Sequence, residues 1–171
     1  MNFDGASKGN PGQVGFGGIF RNSDGNILQI YYGSIGINSK NSAELEGLWE
    51  GLLIAEEANL FPLEVEGDSQ ILMEASSRLQ LGTPASKVAT SWRLLSKLEL
   101  MKQWLKAHHA ISFKHIRRTA NKVADCLANK GVNQTLLLFK VSLNSSSDDT
   151  LIHDCTHLVH KDSSILDAGG W

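Results

Sequence analysis

FDGASKGNPG, residues 3–12, is the stretch from which the fold can be read. Asp4 follows an apolar residue and precedes Gly5, Gly9, Asn10, Pro11 and Gly12, so the stretch reads as a first strand ending at an acidic side chain and running into a turn. Alone, Asp4 is also an ordinary turn residue, because Asp hydrogen-bonds its own backbone and Gly accepts positive φ. Three more acids in comparable surroundings turn the reading from a turn toward a site. Glu44 lies in NSAELEGLWEGL, where Ala43, Leu48, Leu52 and Ala55 recur at helical spacing, near the start of a helix. Asp68 ends LEVEGD, whose alternation reads as a strand running into that acid. Asp125 lies in NKVADCLANKGV, an amphipathic helix with Val123, Leu127 and Cys126 turned inward.

Between these motifs the chain divides cleanly. Residues 1–4, Phe16 to Phe20 and Ile27 to Ile37 read as three antiparallel strands, the last two joined through the Asp24-Gly25 hairpin signal. A helix over 42–58, a strand over 63–67, a helix over 69–79 capped by Ser69, a long amphipathic helix over 85–108, a strand over 111–115 and the Asp125 helix follow. In the long helix Val88, Trp92, Leu95, Leu98, Met101, Trp104 and Leu105 are read as core. Three hairpin-ordered strands followed by strand-helix units predict a mixed sheet covered by helices, the α/β class. From residue 134 the pattern dissolves. LLLFKVSL (136–143) reads either as a short strand or as a stray apolar segment, and NSSSDDT as a polar linker. The expected division is a domain over 1–133 and a tail over 134–171, flexible or carrying extra short elements. His153, His157 and His160 in that tail have only Cys155 nearby and no helix cue, so they are not read as metal ligands.

The four acidic segments, in this order, resemble a type 1 ribonuclease H domain. DGASKGNPG, the AEL-x-G-L-x-x-G-L run and HIRRTANKVADCLAN make the resemblance closest to the reverse-transcriptase-like, retroelement-related subfamily common in plant genomes, over residues 2 to about 133. It implies a five-stranded mixed sheet, three antiparallel strands then two parallel, with helices on both faces and the first strand central. Asp4 and Asp68 would then meet at adjacent strand ends while Glu44 and Asp125 reach in from helices.

Charge is unevenly spread. The chain of 171 residues carries a formal net charge of −2, yet residues 87–130 hold ten Lys/Arg against two acids, while residues 1–86 hold four against eleven. The acidic half suits bound cations and the basic half suits phosphate. Lys97, Lys102 and Lys106 read as a solvated helix face, whereas Lys114, Arg117, Arg118 and Lys122 cluster between a strand and the Asp125 helix. No apolar run approaches the roughly 20 residues of a membrane helix, and because Met1 leads straight into the first strand no targeting segment is expected. Cys126 and Cys155 lack metal-ligand spacing. A single-domain, monomeric, reduced intracellular protein, cytoplasmic or nuclear, is expected.

Four convergent carboxylates repel unless a cation offsets them, and oxygen-only ligands select hard ions such as Mg²⁺ or Mn²⁺. The resemblance implies two ions about 3.5–4 Å apart, with Asp4 bridging, Glu44 and Asp68 completing the first shell and Asp125 serving the second. It also implies that His115 assists water activation or product release; the same residue reads equally as a strand-end His satisfied by backbone. Asn10, Asn41 and Ser69 correspond to family positions that contact sugar and phosphate, and Asn121 to another recurrent family position near the site, grouped with them as nucleic-acid-binding, with Arg117, Arg118 and Lys122 as the basic side chains beside them. The implied reaction is endonucleolytic hydrolysis of the RNA strand of an RNA/DNA hybrid. The basic, Trp-rich protrusion of some relatives is reduced, since residues 82–89 hold only Lys87, which implies weaker and more salt-sensitive hybrid binding. Two other readings compete: another nuclease on the same scaffold, such as a 3′ exonuclease, which the absence of an Asp-x-Glu pair on strand one opposes, or a junction resolvase, and a catalytically weak or inert retroelement-derived module that binds nucleic acid or a protein partner.

Overall fold

The computed structural model describes residues 1–9, 11–135 and 137–142. Asn10 and the tail histidines with Cys155 lie outside the described residues. The elements run β1 (Asn2–Gly9), β2 (Gly12–Arg21), β3 (Ile27–Asn38), α1 (Lys40–Glu57), β4 (Leu63–Gly67), α2 (Gln70–Gln80), α3 (Trp92–Ala107), β5 (Ile111–His115), α4 (Lys122–Val132) and β6 (Phe139–Ser142). Short 3₁₀ turns occupy Ala85–Lys87 and Arg118–Ala120.

The strands form one sheet in the order β5-β4-β1-β2-β3-β6. The first three pair antiparallel, and β1, β4 and β5 pair parallel, as a first strand at the centre of a mixed sheet requires. The expected count of five strands is corrected to six, because Phe139–Ser142 adds antiparallel to Gln29–Tyr32 at the far edge. Phe139 packs against Tyr32, its ring tilted by 31° and the centroids 5.0 Å apart, and Lys140 pairs with Glu57.

β1 is also longer than its sequence suggests. It does not end at Asp4 but continues to Gly9, paired with β2 throughout. Gly5 therefore sits in a strand rather than a turn. The long amphipathic stretch is likewise not one helix: Ser91 caps a fresh start by accepting from the Arg93 N–H at 3.3 Å, so α3 begins at Trp92. Leu98, Met101 and Leu105 are core as expected, but Trp92, at the exposed first turn, is 80% accessible.

Helices lie on both faces. On one side α1, α2 and α3 enclose the larger core, in which Phe3, Phe16, Phe20, Tyr31, Leu45, Leu48, Leu52 and Leu79 are buried. Burying each such side chain contributes roughly 1.5–3 kcal/mol. On the other side α4 covers β1, β2 and β3 through Val123, Leu127 and Ala128 against Ile19, Ile30 and Ala6. This helix lies almost on the sheet backbone, which is possible because β2 reads GQVGFGG: a Cβ at Gly15 would stand 2.1 Å from the Val132 nitrogen, and one at Gly17 2.6 Å from the Ala128 nitrogen.

That close approach predicts the cost of breaking it. Gly15→Ala should lower unfolding free energy by about 1–3 kcal/mol or more, since the added methyl meets backbone that cannot swing aside. Urea denaturation with an unchanged m value would measure it, and a midpoint equal to wild type would mean that α4 does not rest on β2 in this way.

Candidate active site

Asp4 is a buried carboxylate on the central strand. It is 2% exposed, and its Oδ1 accepts the Gly5 N–H at 2.7 Å. Parallel pairing sets Asn2 opposite Glu66, so two residues further along both strands Asp4 stands beside Asp68, just past the end of β4. Glu44 arrives from α1, and Gly5 is the reason: a Cβ there would lie 2.3 Å from the Glu44 nitrogen, so only glycine lets the helix backbone rest on β1 beside Asp4. Asp125 comes from the first turn of α4, carried in by the glycines of β2.

Electrostatics shows how closely the acids meet. Burial, then the charge of Asp68, then that of Asp125 push the Asp4 carboxyl from 3.8 up to about 7, against the Gly5 hydrogen bond and the Lys40 charge. Burial likewise raises Glu44, with Asp68 adding to it, while the Ser69 hydroxyl and Lys40 pull the other way. Lys40 stands 3.6 Å from Glu44, one helical turn apart. Among the described residues no three His, Cys, Asp or Glu side chains form a ready-made metal cage. The donor set nevertheless fits a hard cation: it is all oxygen, it is centred on a buried acid, and it carries repulsion that a positive ion would relieve.

The other expected site residues fall around this centre. Asn41, exposed on the first turn of α1, shares a cleft of about 50 Å³ with Glu44 and Ser69. Ser69 occupies the N-cap position of α2 but makes no capping hydrogen bond, contrary to its expected role; its hydroxyl serves Glu44 instead. His115 ends β5, exposed, with Nε2 3.2 Å from the Asp68 main-chain oxygen. Arg117 and Arg118 are exposed, and Arg118 reaches Asp125 at 3.4 Å. Lys122 opens α4, partly exposed. Asn121 is buried at 1% exposure, its amide nitrogen engaged by the Phe3 carbonyl at 2.9 Å. Lys114 points elsewhere, into ion pairs with Glu66 at 2.8 Å and Glu64 at 3.6 Å. The sequence reading missed Lys40, whose place four residues before Glu44 was the available signal.

A second cleft, of about 790 Å³, is lined by Asn2, Arg21, Glu66 and Lys114 among others and touches none of the four acids. Its charged groups already satisfy one another, whereas the acids do not, so the chemistry belongs to the acids.

A protein-family model described as "Reverse transcriptase-like" matches residues 2–131. The Arabidopsis thaliana protein named "Putative ribonuclease H protein At1g65750" is 32% identical over 163 residues, 95% of this chain. Ribonuclease HI of Halobacterium salinarum is 30% identical over 132 residues, 77% of this chain. The chain spans 24% of the length of the first and 62% of the second. The crystal structure of LC11-RNase H1 in complex with RNA/DNA hybrid superposes with a TM-score of 0.59 at 28% identity, covering 77% of this chain and 94% of that one. The match begins with β1 and reaches into the last turn of α4, taking in all four acids, and with this sheet order and these helices the chain belongs to the reverse transcriptase-like family and has a ribonuclease H fold.

Proposed function

We propose that the chain is a metal-dependent endonuclease that hydrolyses the RNA strand of RNA/DNA hybrids. The carrying observation is the geometry around Asp4, a carboxyl 2% exposed on the central strand beside Asp68 and under the like charges of Asp68 and Asp125. An enzyme fold keeps such repulsion where a cation is to be bound. Similarity to ribonuclease HI, and to a ribonuclease solved with an RNA/DNA hybrid, supports the substrate class.

Asp4, Glu44, Asp68 and Asp125 would hold two Mg²⁺ ions, which Mn²⁺ could replace. Bound there, such ions supply Lewis acidity at phosphate oxygen and lower the pKa of water. The chain's own groups do the rest. Exposed His115, beside Asp68, carries a proton to or from the reacting oxygens at its ring nitrogen. Arg117, Arg118 and Lys122 meet backbone phosphates at the entrance to α4, and Asn41 offers an amide beside Glu44 to the minor-groove hydroxyls. Residues 82–89 add one basic side chain, so phosphate affinity rests on the 117–122 segment.

Cleavage of a strand-labelled hybrid with Mg²⁺, beside duplex DNA and duplex RNA, tests the reading. Cuts inside the RNA strand alone are expected, and Asp4→Asn should reduce the rate by more than about 100-fold, because several kcal/mol of charge stabilisation leave with the ligand. A variant retaining near wild-type rate removes Asp4 from the site.

The Asp4 shift also sets a pH dependence. Its folded-state value of about 7 lies above the ordinary 3.8, so between these pH values the folded protein holds a proton that the unfolded chain has lost. Stability of the metal-free protein therefore falls as pH climbs through this window. Its melting temperature should drop by about 5 °C or more from pH 5 to pH 8. Asp4→Asn should flatten most of the slope, and millimolar Mg²⁺ should recover the lost stability at pH 8 but little at pH 5. A flat wild-type profile would mean that the acids do not crowd.

Replacing Arg117 and Arg118 together by Ala should weaken hybrid binding and reduce the slope of log affinity against log salt by about 1–2. An unchanged slope would return both side chains to plain surface.

A further inference from the structure

Asn121 touches three of the four acid-bearing segments from inside the protein. Its Nδ2 donates to the main-chain carbonyl of Phe3, the residue before Asp4, at 2.9 Å, and stands 3.5 Å from Oδ1 of Asp68. Its main-chain carbonyl accepts the Asp125 N–H at 3.0 Å, in the first turn of α4. One side chain thus spans partners 118 and 53 residues away in sequence while its backbone starts the helix that carries the third acid. The Phe3 contact is short and holds β1 to the start of α4; the Asp68 contact is long and acts by orienting the carboxylate rather than by strength.

The amide cannot be turned over. With the ends exchanged, Oδ1 would face the Phe3 carbonyl, two acceptors with no proton between them. In the observed orientation Oδ1 is buried without a protein partner among the described residues. A buried acceptor left unfilled is destabilising. A core-filling role would be met better by an apolar side chain, so the two N–H groups are what the position needs.

We infer that Asn121 is a positioning residue. It holds β1, Asp68 and the start of α4 in one register, so that Asp4, Asp68 and Asp125 face a common cation, and at 1% exposure it does so without meeting the nucleic acid. This rests on the hydrolase reading above and stands in place of the nucleic-acid contact expected for Asn121. Groups that orient metal ligands from behind carry a large share of metal affinity and rate.

The test compares the full chain with Asn121→Ala and Asn121→Ser, in which neither side chain reaches both Phe3 and Asp68. Far-UV circular dichroism at low temperature establishes folding, calorimetric titration with Mg²⁺ and with Mn²⁺ gives the metal midpoint, and hybrid cleavage gives kcat and KM separately. In folded variants the metal midpoint should rise about 10–100-fold and kcat should fall by a similar factor, with KM for the hybrid within about twofold. Folded variants with an unmoved midpoint and kcat overturn the inference, as does a raised KM with kcat retained, the mark of a direct substrate contact. If both variants fail to fold, the residue is structural and the inference is likewise overturned. A wild-type chain that binds metal and loses it in the variants, yet cuts no hybrid, upholds the positioning role and removes the hydrolase reading. A wild-type chain that binds no metal removes both.

Discussion

Like charges gathered against their own repulsion are the constraint around which this molecule is built. At an effective dielectric of about 20, two carboxylates ~5 Å apart repel by roughly 3 kcal/mol, and here Asp4 feels both Asp68 and Asp125 from a position 2% exposed. Nothing local to any one acid could hold it there. The force comes from a sheet whose central strand is flanked by a parallel partner bearing Asp68, and from two helices pressed onto that sheet from opposite faces.

Both helices depend on backbone contact rather than on side-chain interdigitation alone. α1 rests on Gly5 and delivers Glu44; α4 rests on Gly15 and Gly17 and delivers Asp125. A side chain at any of these positions would lift a helix by the thickness of a methyl group and carry an acid away from the others. Residues that look like turn formers or flexible filler are therefore what fixes the geometry of the charged centre. The buried amide of Asn121 adds a second tie between the same layers, and its contacts reach the backbone of β1 and the carboxylate of Asp68 alike.

The charge asymmetry takes on a physical form in the fold. Acids collect where β1, β4, α1 and α4 converge, and Arg117, Arg118 and Lys122 stand at the entrance to α4, with Arg118 already leaning on Asp125 at 3.4 Å. Lys114, from the same basic stretch of sequence, is spent on Glu64 and Glu66 of β4. A cluster in sequence is thus divided, because Lys114 lies within β5 opposite Glu66 whereas Arg117, Arg118 and Lys122 follow it in the turn and at the start of α4.

Much was written in the residues themselves. The alternation in LEVEGD and in Ile111–His115 located β4 and β5 at their observed limits, because a half-buried strand needs an apolar residue at every second position. The four acids and their order were legible too, since each stands beside its own periodic segment. What the sequence could not convey was which contacts a residue would find. Gly5 after Asp4 reads as a turn, yet it is a strand residue flattened for a helix 39 positions away. Trp92 sits on an apolar stripe, yet the cap at Ser91 starts the helix there and leaves its ring outside. Phe139–Ser142 has a strand's composition but becomes a strand only because β3 offers an unpaired edge. By itself, then, the sequence determined element type and the identity of the acids, which follow from local periodicity; only the tertiary structure decided who meets whom, because contact across the sheet depends on register and backbone approach, and neither is encoded within any one segment.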